Sequence, residues 1–260
     1  MAINVNTVYT TVLSILNKEQ RGYLTPYEFN QAATQVQLDI FENYFKNLDK
    51  QLRIPQNEFD YSNPIENIDD ELSTFKCLGS CAYQSSLRFI LPTVDSLTST
   101  DIVYDDAPAA NEFAFYRLGT VTFGSNKPVE VERLQRDYFY NIDRSDLTAP
   151  SVNYPVYLYE NKELTIKPGG ASGITANVEA SFIRKPKNVV WAYSVNSSLG
   201  NYVYQPSSTG TGIIPTTGSV DFEISSNYQT EVILEILKYA GVVIRDPQIV
   251  QAAAQELADK

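Results

Sequence analysis

Residues 155–168 read PVYLYENKELTIKP. Apolar residues alternate on both arms, and Asn161-Lys162 lies between them. Alternation with period two belongs to strands, because successive side chains leave a strand on opposite faces. Two such arms around two turn-forming residues predict a β-hairpin. Working outward, SSLRFILP (85–92), DIVYDD (101–106) and EFAFYRLGTVTF (112–123) also read as strands. PVEVERLQRDYFYNIDR (128–144) passes from a strand into a short helix. ITANVEASFIRKP (174–186) gives one more strand, halted at Pro186 because proline cannot donate to the ladder.

The two ends of the chain have a different period. The first segment reads as a helix from the start, capped by Asn4 or Asn6. Val5, Val8, Val12, Leu13, Ile15 and Leu16 fall on one broad face. A second helix begins near Thr25, with Phe29, Ala33, Val36, Ile40, Tyr44 and Leu48 at spacings of three and four. Gln31, Gln35, Asp39, Glu42 and Asn43 fill its polar side, and Pro55 ends the run. Together they predict a helical hairpin. DFEISSNYQTEVILEILKYAGVVIRDP (221–247) returns to helix, opened at DFEI, with Ser226 or Asn227 as cap. Its apolar stripe is Val232, Ile233, Ile236, Leu237, Ala240 and Val243, interrupted by Gly241 and Pro247.

The expected class is α+β: an N-terminal helical hairpin (1–55), a central antiparallel β region with a short helix (56–220), and a long C-terminal helix (221–260) packing on the first two. Residues 57–75 read as a polar loop closing onto a short helix, with Asp69–Glu71 a solvated acidic run. Residues 196–219 are rich in Ser, Thr, Gly and Pro and read as a long loop or arm. Such a composition predicts an arm that is flexible in the free subunit and orders against another chain.

Composition narrows function. The chain has 260 residues, 43% hydrophobic and 20% charged, with 18 Tyr and 12 Phe. So many aromatics suggest extensive packed surface, internal or between subunits. The N-terminus carries no basic leader or small-residue cleavage site. No apolar run approaches the roughly 18–20 residues that span a bilayer. There is no histidine, which removes His-dependent nucleophile pairs and the common zinc sites. Cys77 and Cys81 cannot by themselves close a tetrahedral metal site, and they read as buried or idle thiols. Net charge is −11, without the clustered Lys/Arg of a nucleic-acid binder.

NKEQRGYLTPYEF (17–29) imitates a calcium loop in its spacing. Gly22 falls at the sixth position and Glu28 at the twelfth. The ligand set does not follow, since Arg21 takes a position that needs an oxygen. A structural account uses the same residues: Gly22 ends one helix, Thr25 caps the next, Pro26 opens it, and Glu28 closes a capping box. No metal is expected there. IKPGGASG (166–173) leads into a strand, so it reads as a turn, not a phosphate cradle. Asp105-Asp106 and the pair Asp143/Asp146 read as surface turns, since nothing marks catalytic partners. No catalytic residue and no cofactor are expected, and the chain is not expected to be an enzyme.

The order of elements, with LNKEQRGYLTPYEFN (16–30) followed by QVQLDIFENYF (35–45) and the succession ELTIKP, FIRKP and FEI, resembles the head–tail adaptor or ring proteins of short-tailed bacteriophages. It is most similar to the ring proteins of crAss-like phages. The resemblance covers most of the chain as a pattern. It implies a non-catalytic structural protein of the virion, made in the host cytoplasm and residing in the neck or tail. Copies, commonly twelve, would form a ring between portal protein and tail or second-ring proteins. Genomic DNA would pass through the lumen without specific binding, and no membrane is involved. An acidic chain suits such a lumen, because it repels phosphate. Residues 196–219 do not map onto the pattern. A receptor- or carbohydrate-binding β module of a tail or fibre is the alternative, with Trp191 and the tyrosines as stacking platforms. A hydrolase using carboxylates is a third class.

Overall fold

The computed structural model describes residues 2–18, 24–51, 64–85, 87–103, 112–125, 127–168, 173–196, 200–206, 218–243, 251 and 255. In chain order the elements begin with β1 (Ala2–Ile3), α1 (Val5–Lys18), α2 (Pro26–Gln51) and α3 (Pro64–Ser73). Then come β2 (Lys76–Ser80), β3 (Ala82–Ser85), β4 (Arg88–Ile90), β5 (Val94–Asp95), β6 (Thr100–Val103), β7 (Glu112–Phe123), β8 (Val129–Glu130) and β9 (Glu132–Arg133). After α4 (Arg136–Asn141) follow β10 (Val156–Glu160), β11 (Glu163–Lys167), β12 (Val178–Arg184), β13 (Tyr193–Val195), β14 (Tyr202–Tyr204), β15 (Phe222–Ser225) and α5 (Gln229–Val243). The protein is α+β.

Two compact units divide the chain, and one is discontinuous. Unit 1 is residues 1–74 with 186–260, and unit 2 is residues 75–185. The expected divisions at 55/56 and 220/221 therefore do not coincide with the structural ones. Helix α3 and strands β13, β14 and β15 belong with the helices, because their partners lie there and not in the β region.

In unit 1, Asn4 caps α1, its side-chain oxygen accepting from the amides of Asn6 (3.0 Å) and Thr7 (3.1 Å). Asp221 accepts a further orphan amide, that of Val5, at 2.8 Å. Val5, Val8, Tyr9, Val12 and Leu16 are buried, whereas Ile15 is 38% exposed. Helix α2 buries Phe29, Ala33, Val36, Ile40, Phe41 and Tyr44, and α5 packs against both α1 and α2. Tyr9 meets Phe29 edge-on at 4.9 Å.

Polar residues of α2 hold an extended segment in place of a neighbouring strand. Asn30 accepts from the Trp191 amide (2.8 Å) and donates to its carbonyl (3.4 Å). Thr34 does the same for Val189, at 3.2 and 3.4 Å. Gln37, fully buried, donates to the Lys187 carbonyl at 2.6 Å and accepts from the Glu223 amide at 2.8 Å. Residues 30, 34 and 37 share one helix face, and residues 187, 189 and 191 share one side of an extended chain. The two periods mesh.

Two readings from sequence are corrected here. Phe222–Ser225 does not open the last helix. It is β15, paired antiparallel with β1, and α5 starts at Gln229 after a 3-10 turn over Ser226–Tyr228. Gly241 does not interrupt α5, which runs on to Val243. Pro247 lies outside the described residues.

Unit 2 contains a five-stranded sheet, β3-β4-β11-β10-β9, and a six-stranded one, β2-β12-β7-β6-β5, with β8 added on β7. Most neighbours are antiparallel, but β6–β7 and β9–β10 are parallel. The second exception follows from its connection: residues 134–155 include α4, and a helical crossover is what brings parallel strands together. Phe89, Leu164, Ile166 and Tyr157 from one sheet pack with Val121, Val178 and Ala180 from the other. Phe139 of α4 covers Val156 and Leu158 on the outer face of β10. The hairpin of β10 and β11 turns at Asn161 and Lys162, with φ of +52° and +62°. Positive φ at both positions is the type I′ geometry that matches strand twist.

Strand β7 carries a bulge where Ala180 faces Val121 but Phe182 faces Leu118. A Cβ at Gly119 in that bulge would sit 3.0 Å from the Ser181 carbonyl oxygen, so the close approach requires glycine. The strands that open and close unit 2, β2 and β12, are hydrogen-bonded neighbours, and the Arg184 amide donates to the Phe75 carbonyl at 3.0 Å.

Candidate interaction surfaces

At the imitation calcium loop, the described residues form a capping box. The Thr25 amide donates to Glu28 Oε2 at 2.9 Å, and the Glu28 amide donates to Thr25 Oγ1 at 3.3 Å. The Thr25 hydroxyl also donates to that carboxylate, at 2.6 Å. These bonds, the hydroxyl first, hold the Glu28 carboxyl below its usual range. Glu28 is committed to the helix start. Arg21 and Gly22 lie outside the described residues.

Both cysteines are buried and free. Cys77 packs with Ile102, Phe113 and Phe182, and Cys81 with the core between the sheets. Burial is the main cause pushing each thiol up to about 12. For Cys77, buried Asp95 adds to the rise and Arg184 opposes it. Thiols so placed are poor nucleophiles. Arg184 is itself only 5% exposed. Its guanidinium lies over the rings of Phe113 (3.8 Å) and Phe75 (5.3 Å) and donates to the Lys185 carbonyl at 3.3 Å. It is a packing element, not part of a basic surface.

The remaining sequence candidates divide. Asp143 pairs with Lys167, whose ammonium also donates to the Phe139 carbonyl at 2.8 Å and lies over the Phe139 ring. The pair fastens the end of α4 to β11. Asp146 is exposed, and Asp105 and Asp106 lie outside the described residues. The Ile174 amide donates to the Pro168 carbonyl at 3.0 Å, at the glycine-rich turn whose centre, 169–172, also lies outside. Among the described residues, no three metal-ligating side chains converge. No described helix is long and apolar enough to cross a membrane.

Trp191 is 4% exposed. Tyr9 lies 4.0 Å away, Tyr193 and Tyr204 stack at 5.8 and 6.0 Å, and the indole N–H donates to Asn6 at 3.1 Å. Its faces are occupied, so it is no open platform for a sugar ring.

Described residues line at least two grooves. One, of about 420 Å³, is lined in part by Arg133, Arg136, Tyr159 and Glu160. Arg136 pairs with Glu160 at 3.5 Å and Arg133 lies over Tyr159 at 5.5 Å. The other, of about 460 Å³, includes Asp70, Glu71 and Glu223. Burial raises the Glu71 carboxyl, and the Tyr228 hydroxyl donates to it at 3.1 Å. Glu223 accepts from the Lys187 amide. These polar groups are engaged in holding the fold.

Exposed apolar side chains are more telling. Tyr138 and Tyr140 stand out from α4, and Leu147 (94% exposed), Val152 and Tyr154 (81%) from the loop before β10. In unit 1, Val195, Tyr202 and Val203 are exposed on β13 and β14. These strands correct the reading of 196–219 as one loop: Tyr202–Tyr204 pairs antiparallel with Tyr193–Val195. The far end is pinned as well. Ser219 is buried, its hydroxyl donating to the Gln205 carbonyl (2.6 Å) and accepting from the Ala192 amide (2.9 Å). The arm's remainder, 197–199 and 207–217, lies outside the described residues. Sequence reasoning missed this hairpin because three-residue strands show too little periodicity; the alternation Tyr193/Val195 and Tyr202/Tyr204 was the available signal.

No family model and no curated protein matches this chain.

Proposed function

We propose that the protein is a structural subunit of a bacteriophage virion. Copies form a ring in the head–tail connector, joining portal to tail and enclosing the DNA channel. The observation that carries this reading is the placement of exposed apolar side chains on two dissimilar segments, 147–154 in unit 2 and β13–β14 in unit 1. Exposed apolar surface marks contact sites, and two unlike surfaces suit the head-to-tail interface that closes a ring. The buried thiols and the carboxylates engaged in capping and pairing support a structural role over a catalytic one. A net charge of −11 favours free passage of DNA.

Electron-microscopy reconstruction of the virion neck tests the proposal. Several copies are expected in one rotationally symmetric layer, with Asp and Glu facing the channel more often than Lys and Arg. Finding the chain at fibre tips, or a lumen lined mainly by basic side chains, would overturn it.

A further inference from the structure

The two grooves differ in what their polar groups do. At Asp70, Glu71 and Glu223 the polar groups hold the fold, through the Tyr228 hydroxyl and the Lys187 amide. At the groove of about 420 Å³ in unit 2, most of the donors are unspent. Among the described residues the Arg133 guanidinium makes no hydrogen bond; it rests over the Tyr159 ring at 5.5 Å. Arg136 makes one, the 3.5 Å contact to Glu160, between two exposed side chains. Such a pair is weak, and it leaves most of the Arg136 donors free. The Gln135 side chain makes no cap bond, and the Tyr159 hydroxyl has no described partner. Burial raises the Tyr159 phenol, so it keeps its proton as a donor. Cations elsewhere are committed: Lys167 to Asp143, Lys238 to Glu235, Arg88 to Glu163, and Arg184 to the core.

Regular elements position these donors. Arg133 lies on β9, and the parallel register sets it beside Tyr157 of β10. Residues 157 and 159 share one face of that strand, which brings the guanidinium to the Tyr159 ring. Arg136 opens α4, directly after Gln135. A guanidinium held over an aromatic ring keeps its planar fork of donors available and loses less freedom when it binds a pair of oxygens. Leu134 and Leu158 add an apolar wall.

We propose that this groove binds a carboxylate carried on a polypeptide segment of a partner protein, with Arg133 and Arg136 taking the oxygens and an adjoining apolar group resting on Leu134 and Leu158. Donors in excess of acceptors call for an anion. The surrounding charges select which anion. Glu132 and Asp137 flank the arginines in sequence, and Glu160 lines the groove. In a chain of net charge −11, this frame repels a polyphosphate, since duplex DNA brings one charge per roughly 1.7 Å of axis. A single carboxylate meets two guanidiniums and leaves the acidic rim untouched. The inference does not depend on the ring reading and goes beyond it.

Magnetic-resonance titration of the isotope-labelled full chain tests it, because that readout registers weak binding. The signals followed are the Arg133 side-chain Nε–H, assigned by its loss in Arg133→Lys, and the Gln135 side-chain amide. The end-blocked peptide Gly-Leu-Asp-Leu-Gly should shift both saturably. Its Asn counterpart should bind at least about tenfold more weakly, the loss of charge-assisted bonds. Arg133→Lys keeps the charge but not the fork, and Arg136→Gln removes a charge. Each should weaken the Asp peptide several-fold, read at Gln135, with the rest of the backbone spectrum unchanged. Equal affinity for the Asp and Asn peptides overturns the proposal, as does no shift with either. Tighter binding of an oligothymidylate overturns it in favour of nucleic acid. Acetate binding as tightly as the peptide reduces the site to one for small anions and overturns the polypeptide ligand. A shift on concentrating the protein alone would put the carboxylate on a second copy and overturn the separate partner.

Discussion

The molecule contains two hairpins of opposite character. In β10–β11, one face enters the core between the sheets through Tyr157, Leu164 and Ile166, and the other is covered by α4 through Val156 and Leu158. In β13–β14, only the base is covered, and the distal residues Val195, Tyr202 and Val203 are 56%, 41% and 43% exposed. The same local element therefore serves as core in one unit and as presented surface in the other. What separates them is support: β10–β11 has strands on both edges, whereas β13–β14 forms a two-stranded sheet.

That contrast can be broken by mutation. Trp191→Ala removes the anchor of β13–β14 and should cost about 3–5 kcal/mol, as large buried aromatics do. Denaturant unfolding gives the number, and limited proteolysis should then cut first within 193–204. Loss of stability with no new cleavage there would show that the hairpin does not depend on its anchor. Leu164→Ala, fully buried in β11, should cost about 2–5 kcal/mol by leaving a cavity between the sheets. A cost well under 1 kcal/mol would mean the doubly covered hairpin is not core. Lys162→Gly should act in the opposite direction. A side chain at φ +62° is strained, so glycine is expected to stabilise by up to about 1 kcal/mol, read as a higher melting temperature. Val203→Ala should change the stability of the free chain by less than about 0.5 kcal/mol, because the residue is exposed on a hairpin outside the core. A larger loss would place Val203 in the core after all.

The same contrast explains what could be read from sequence. PVYLYENKELTIKP was legible because its alternation, turn residues and burial all agree. The strand over 112–123, the helix over 136–141 and the Thr25–Glu28 capping box were legible for similar local reasons. β13–β14 was not, since strands of three residues show too little periodicity and are fixed by contacts far away: Trp191 on Tyr9, Ser219 on Gln205. DFEI was misread because its partner, Ala2–Ile3, lies at the other end of the chain. β2 and β3 were missed because Gly79 and the cysteines carry little strand propensity. Of the candidate surfaces, the abundance of tyrosine pointed to packing, but which tyrosines stay outside depended on tertiary support.

The side-by-side placement of β2 and β12 has a mechanical consequence. Unit 2 is inserted in sequence between the two segments of unit 1, and its first and last strands are bonded to each other at their ends, through Phe75 and Arg184. Pulling on the two ends of the polypeptide loads unit 1 first. Unit 2 feels tension only after residues 74 and 186 are drawn apart. It should then peel from that root one hydrogen bond at a time, starting with Phe75–Arg184 and passing to the Lys76–Ile183 pair. A force–extension trace should show two steps in fixed order, the shorter-contour unit 2 always second. A unit 2 step that comes first would show that the root does not shield it.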